Sequence, residues 1–232
     1  MTGAAPPHAL VTGCSSGIGR AVAQALLGDG WRVTGLSRRR PELDGALPED
    51  FTWVPADLAR TDELRALVAE VGPLQAVVHA AGLQRAQALG QLQDSALREM
   101  LAVHVEAAAS LVDALIDRVA DGGRIVLIGS RTATGAAGKS QYAATKAALA
   151  GMARSWAMEL TGRRITVNVV APGPTDTPML HDPARAAVPP TVPPLGQLVD
   201  PADVAALTGF LLGPHGKSVT GQVLTVCGGA SL

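Results

Sequence analysis

The stretch "HALVTGCSSGIGR", residues 8–20, decides how the rest of the chain is read. An apolar run of strand character, 8–13, stops at Gly13, and Gly17 and Gly19 follow where a helical pattern begins. Glycines at a strand-to-helix turn permit a tight reversal and let backbone amides approach an anion. The helix N-terminus adds unpaired N–H groups and the positive end of its dipole. The turn is therefore a candidate cradle for a pyrophosphate. The same residues also spell G-x-S-x-G at 13–17, the nucleophile elbow of serine hydrolases, with Ser15 as nucleophile and Asp203 and His215 following in the required order. That elbow ordinarily follows several strands rather than the first, and it leaves a scarce Tyr–Lys pair unexplained.

Outward from this turn, short apolar runs alternate with helical patterns. Strands are predicted at 8–13, 31–37, 51–55, 75–82, 124–130, 165–173 and 222–229, and helices near 17–28, 61–70, 94–119, 140–161 and 201–212. Nearly continuous apolar strands imply a sheet covered on both faces, and strand–helix alternation implies right-handed parallel crossovers. The predicted fold is α/β: a single-domain, doubly wound parallel sheet of the Rossmann type, of about seven strands with helices on both faces. Residues 1–232 then form one dinucleotide-binding and catalytic domain. One segment is compositionally odd: 181–201 carries prolines at 183, 189, 190, 193, 194 and 201. It reads either as an irregular surface loop or as a flap over a site.

Composition narrows the function. The chain has 232 residues, 47% hydrophobic and 17% charged, with net charge −1, and so lacks the basic surplus of a general nucleic-acid binder. Cys14 and Cys227 are too few for a disulfide scaffold and fit no metal motif, so no metal is expected. The N-terminal residues lack a charged n-region followed by an apolar stretch, and no apolar run reaches a membrane span; the expectation is a cytoplasmic protein without membrane contact.

Two further features align with the glycine turn. In a dinucleotide-binding fold the end of the second strand meets the adenosine ribose, where an acid bonds the 2′-hydroxyl or an arginine accommodates a 2′-phosphate. Here that strand ends "GLSRRR", 35–40, with Ser37 at the acidic position and Arg38 after it. A small neutral residue leaves room and a guanidinium grips phosphate bidentately, so NADP(H) is preferred and NAD(H) remains possible. Asp57, after the third strand, could accept from the adenine amino group or cap a turn. The second feature is "KSQYAATKAAL", 139–149. It holds the chain's only tyrosine, Tyr142, four residues before Lys146, one of three lysines. On a helix these positions share a face.

Together these motifs make the chain resemble the short-chain dehydrogenase/reductase family in its short form. The matches are "TGCSSGIG" (12–19), "DL" (57–58), "HAAG" (79–82), "IGS" (128–130), "YAATK" (142–146), "APGPTDT" (171–177) and "TGQVLTVCGG" (220–229), in family order over nearly the full length. The resemblance implies an NAD(P)-dependent oxidoreductase that interconverts a carbonyl and a secondary alcohol, an NADPH-preferring carbonyl reductase. By resemblance Tyr142 is the acid/base, Lys146 holds the nicotinamide ribose and lowers the tyrosine pKa, and Ser130 orients the substrate oxygen. It assigns cofactor contacts to Gly13, Ser15, Ser16, Gly17, Ile18, Gly19, Ser37, Arg38, Asp57, Leu58, Ala81, Gly82, Tyr142, Lys146, Pro172, Gly173, Thr175 and Thr177. Residues 178–199 match the substrate loop, which favours the lid reading. The implied partners are a small carbonyl or alcohol and further copies of the chain, as a homodimer or homotetramer, with 94–119 and 140–161 as interface candidates.

The chemistry suits these residues. Hydride transfer to a ketone builds an alkoxide that needs a nearby proton donor. A phenol has pKa near 10; a cation about 5 Å away at an effective dielectric of about 20 contributes roughly 3 kcal/mol, about two pKa units. Three departures from the family pattern stand out. His79 replaces an asparagine tied to sheet hydrogen bonding and reads as structural. His104, in "LAVHVEAAA", replaces the asparagine of a water-linked proton relay; an imidazole could serve there, titrating near pH 6.5, or His104 merely fills space while the local helix backbone matters. Ser130 precedes Tyr142 by 142 − 130 = 12 residues, one fewer than in many members. The other functional class left open is a non-catalytic NAD(P)-sensing Rossmann protein, which would have no need of the Tyr142–Lys146 pair.

Overall fold

The sheet is built outward from strand β1 (His8–Thr12), whose five residues are all buried. The computed structural model describes residues 5–43, 50–182 and 191–232. After β1 come α1 (Gly17–Gly28), β2 (Arg32–Ser37), β3 (Phe51–Pro55), α2 (Thr61–Leu67), β4 (Leu74–His79), α3 (Asp94–Leu101) and α4 (Ala107–Leu115). The chain continues through β5 (Val119–Ile128), α5 (Ser140–Glu159), β6 (Thr166–Pro172), α6 (Pro201–Leu212) and β7 (Val223–Val226). All seven strands pair in parallel, in the order β3-β2-β1-β4-β5-β6-β7. This is the expected doubly wound sheet. Its order reverses between β1 and β4, where such sheets open a ligand crevice beyond the strand C-termini.

Strand side chains alternate between two cores. Leu10, Leu36, Val77, Leu127 and Val169 pack with Leu64 of α2, Leu111 of α4 and Leu149 of α5. Ala9, Val11, Val33, Val78, Val126 and Val170 pack on the other face with Val22 and Leu26 of α1 and Val204 and Leu211 of α6. On α5, Tyr142, Lys146, Leu149, Ala153 and Ala157 form one buried stripe at helical spacing. Its small residues let the helix lie close to the sheet and hold its first turn at the strand ends.

The expected helix 94–119 is interrupted. A π-helical turn, Ala102–Glu106, separates α3 from α4, and the chain is already in β5 at Val119. Widened turns arise where an outside group takes a carbonyl of the helical ladder, and here His79 Nε2 donates to the Val103 carbonyl within the turn. Strand β5 starts earlier than predicted because Val119 pairs with Leu74 before the register shifts and Arg124 pairs with Ala76. Strand β7 is shorter than predicted, since Gly228 and Gly229 take positive φ and turn the chain away. Among the described residues, no helix is long and apolar enough to cross a membrane.

Candidate active site

A cleft of about 830 Å³ runs along the C-terminal ends of the strands, over the gap between β1 and β4. Its floor begins at the glycine turn. Gly13 has φ +69°, and a Cβ there would lie 2.8 Å from the Ala81 backbone, so the turn rides directly on the end of β4. A Cβ on Gly19 would come within 2.3 Å of the Gly13 carbonyl oxygen, so only hydrogen lets α1 start this close to the strand. Ser16 precedes α1 in extended conformation without a side-chain cap. The first amides of the helix are thus left for an outside acceptor, and Ser15, Ser16, Gly17, Ile18 and Gly19 line the cleft.

At one end stand Ser37, Arg38, Arg39, Asp57 and Leu58. Ser37 is buried, and its hydroxyl donates to the Arg39 carbonyl (2.7 Å) while the Trp53 ring N–H donates to it (3.2 Å). The hydroxyl is therefore held in the wall, with no carboxylate in its place, and the turn leaves Arg38 and Arg39 exposed at the rim. Arg39 escaped the sequence reading, although the triple-arginine run was the signal for it. Asp57 lines the cleft, and its Oδ1 accepts from Ala59 N (3.1 Å), so it caps its own turn.

Ser130, Tyr142 and Lys146 also line the cleft. Ser130 ends the β5 segment; it exchanges a hydrogen bond with the Thr132 hydroxyl (2.8 Å) and accepts from Thr132 N (3.2 Å), which fixes the start of the 131–134 turn. Tyr142 is 7% exposed and Lys146 5%. The lysine Nζ lies 6.0 Å from the tyrosine ring centroid and donates to the Ile128 carbonyl (2.8 Å). Burial without a balancing charge lowers the Lys146 pKa to about 7. Pro172, Gly173, Thr175 and Thr177 close the side over the glycine turn, where a Cβ on Gly17 would meet the Thr177 methyl at 3.1 Å. Gln84 and Arg131 also line the cleft. They carry no motif, and only the fold reveals them.

Every predicted site residue lines this cleft except His104. Its imidazole is fully buried behind the wall. Leu83 N–H donates to Nε2 (3.0 Å), so the proton sits on Nδ1, which donates to the Thr145 hydroxyl (2.9 Å); that hydroxyl donates to the Tyr142 carbonyl (2.9 Å). Both ring nitrogens are occupied by the scaffold. Burial, then the Lys146 charge and His79, hold the pKa well below 6.5. His104 packs edge-on against the Tyr142 ring (centroids 5.6 Å apart, planes at 83°), an arrangement that favours the space-filling reading over a titrating relay. His79 is structural, as expected. Thr12 Oγ1 accepts from Ala80 N and Ala81 N and donates to His79 Nδ1, all at 3.1 Å, and His79 Nε2 donates to the Val103 carbonyl in the π turn (3.0 Å). The elbow reading also lapses, because Asp203 and His215 do not line the cleft that holds Ser15.

A family model described as enoyl-(acyl carrier protein) reductase matches residues 13–231. The 3-oxoacyl-(acyl-carrier-protein) reductase of Salmonella typhimurium is 35% identical over 234 residues, covering 95% of this chain and 96% of that protein. Carbonyl reductase family member 4 of Danio rerio is 37% identical over 237 residues, covering 97% and 98%. A Burkholderia cenocepacia short chain dehydrogenase solved in complex with NADP is 35% identical, with TM-score 0.82 over 97% of this chain and 98% of that one. The chain belongs to the short-chain dehydrogenase/reductase family. As a short-chain dehydrogenase/reductase it is an NAD(P)-dependent oxidoreductase acting on a carbonyl–alcohol pair. The nucleotide fits the residues present: an uncapped helix start, a glycine turn without room for a Cβ, and two rim guanidiniums.

Proposed function

We propose that this chain is an NADP(H)-preferring carbonyl reductase in which Tyr142 passes the proton, Lys146 sustains it and Ser130 positions the substrate oxygen. The observation that carries the reading is that these three side chains line a single cleft, with the Lys146 Nζ 6.0 Å from the Tyr142 ring centroid. The same cleft presents Arg38 and Arg39 where a carboxylate would select against a 2′-phosphate. When bound, the nicotinamide cofactor supplies the hydride. The α1 N-terminus and the glycine turn would hold its pyrophosphate, and the arginine rim would hold the 2′-phosphate. Ser130 and Tyr142 hydrogen-bond the carbonyl oxygen, and Tyr142 gives its proton as negative charge develops there. The Lys146 ammonium stabilises the phenolate that remains. The two described ends of the segment 178–199 border the cleft as a substrate cover: Met179, Leu180 and Thr191 line it, and Val199 N donates to the Pro174 carbonyl (2.9 Å). Residues 183–190 of that predicted lid, with three of its prolines, lie outside the described residues. The test is NADPH-dependent reduction across a carbonyl panel, with both cofactors titrated by fluorescence. Equal affinity for NADPH and NADH contradicts the preference, and no turnover of any carbonyl contradicts the assigned chemistry.

A further inference from the structure

Two polar side chains that line the cleft each keep one buried nitrogen without a hydrogen-bond partner among the described residues. Gln84 is 6% exposed and lines the cleft, yet its Nε2 has no hydrogen-bond partner among the described residues. Arg131 follows Ser130 directly and also lines the cleft; its Nε is buried and equally without a partner. Buried polar groups are nearly always satisfied, and two unsatisfied nitrogens on residues that line one cavity call for a partner the protein does not supply, met when these side chains turn into the cleft. Neighbouring charges sharpen the contrast. Arg85 is neutralised by a two-point pair with Glu99 (3.1 and 3.0 Å), and His181 bonds Asp176 (2.9 Å). Asp182 and Lys139, which line the same wall, each have interactions of their own. Arg131 makes no ion pair among the described residues.

The two residues come from segments that the fold ties together. Gln87 N donates to the Gly138 carbonyl (2.8 Å), and Gln141 donates to the Gln93 carbonyl (3.2 Å), which seats the strand-β4 loop against the approach to Tyr142. Arg131 stands on the short turn anchored by Ser130. We propose that Arg131 and Gln84 form a carboxylate-recognition site, so that the substrate is an oxo acid whose carbonyl is presented to Ser130 and Tyr142. A guanidinium takes a carboxylate in bidentate fashion, and the Gln84 amide, turned to present its NH₂, donates to the same group. This rests on the proposed reductase reading and adds the substrate class to it.

The test separates binding from turnover. Oxo acids with one, two or three carbons between carbonyl and carboxylate are titrated calorimetrically, each beside its methyl ester, into the full-length protein loaded with NADP⁺. Reduction of the same compounds is then followed with NADPH. The expected result is that at least one acid binds about tenfold or more tightly than its ester, the scale of one charge-assisted hydrogen bond. Arg131→Gln and Gln84→Leu should each shrink that acid-to-ester ratio, and Arg131→Lys should restore part of it. If every ester binds as well as its acid in the wild-type protein, the proposal falls, whether or not the variants fold. Acid preference in binding without any reduction would support the site and sink the catalytic reading instead.

Discussion

Tyr142 sits in a wall of side chains that have already spent their hydrogen bonds on one another. His104 is fixed by Leu83 and Thr145, and Thr145 by the Tyr142 backbone. Removing the phenol oxygen should therefore leave the scaffold intact: Tyr142→Phe is expected to cut kcat by about 10²–10⁴-fold, the usual worth of a general acid, with little change in cofactor affinity. Retention of wild-type kcat would rule the role out. Lys146 sets the pH range. Desolvation lowers its pKa to about 7, so the ammonium is present below that value and is lost as pH rises through it. The kcat/KM for NADPH should fall on the alkaline side of about pH 7, since that parameter reports the enzyme before the cofactor binds. A flat profile there contradicts the assignment. His104, by contrast, stays neutral across this range, so His104→Asn should leave the shape of the pH profile unchanged while weakening the support of the Tyr142 ring.

At the scale of elements, the β1–α1 turn was legible because its requirement is stereochemical. Gly13 and Gly19 occupy places where a Cβ would strike backbone, and such places leave a mark in sequence. Gly19→Ala is expected to destabilise the fold and weaken cofactor binding together, read as a lowered Tm and a raised Kd; an unchanged Kd contradicts the cradle. The Tyr142–Lys146 spacing was legible for the same reason, as helical geometry. The π turn was not, because it depends on the Val103 carbonyl accepting from His79, a residue 24 positions earlier. Gln84 and Arg131 were equally invisible: what singles them out is a partner they lack, and only packing reveals that. Arg38 belongs to the β2 terminus, where its exposure invites a simple check. Arg38→Ala should erase most of the NADPH-over-NADH difference, and a preserved difference would shift the role to Arg39.

For the molecule as a whole, the alternation of strands and helices was enough to foresee the parallel sheet, because the buried strands carry it in their apolar runs. Its pH response was not foreseeable, since it stems from groups sealed inside, with Lys146 acting above about pH 7 and two imidazoles below pH 6.5. His79 is lowered to about 3 by burial, then by Lys146, and His104 also lies well below 6.5. Between 6.5 and these values the unfolded chain binds protons that the folded chain refuses. Stability should therefore fall as pH drops below 6.5, by about 1.4 kcal/mol per pH unit for each histidine. Urea unfolding at a series of pH values, with His79→Asn alongside, measures it; equal slopes in both proteins would contradict the account. The parallel arrangement has one more consequence. Thr12 pairs with His79 in register and His79 with Leu127, so every strand delivers its chemistry to one rim. The turn joining α1 to β2 lies on the far rim, about 20 Å away along the six residues of β2, and Gly28 and Gly30 there face open space. Chain length can be added at that turn, as a tag or a fused module, and the reaction rim would register nothing: scaffold and chemistry can be altered as separate modules.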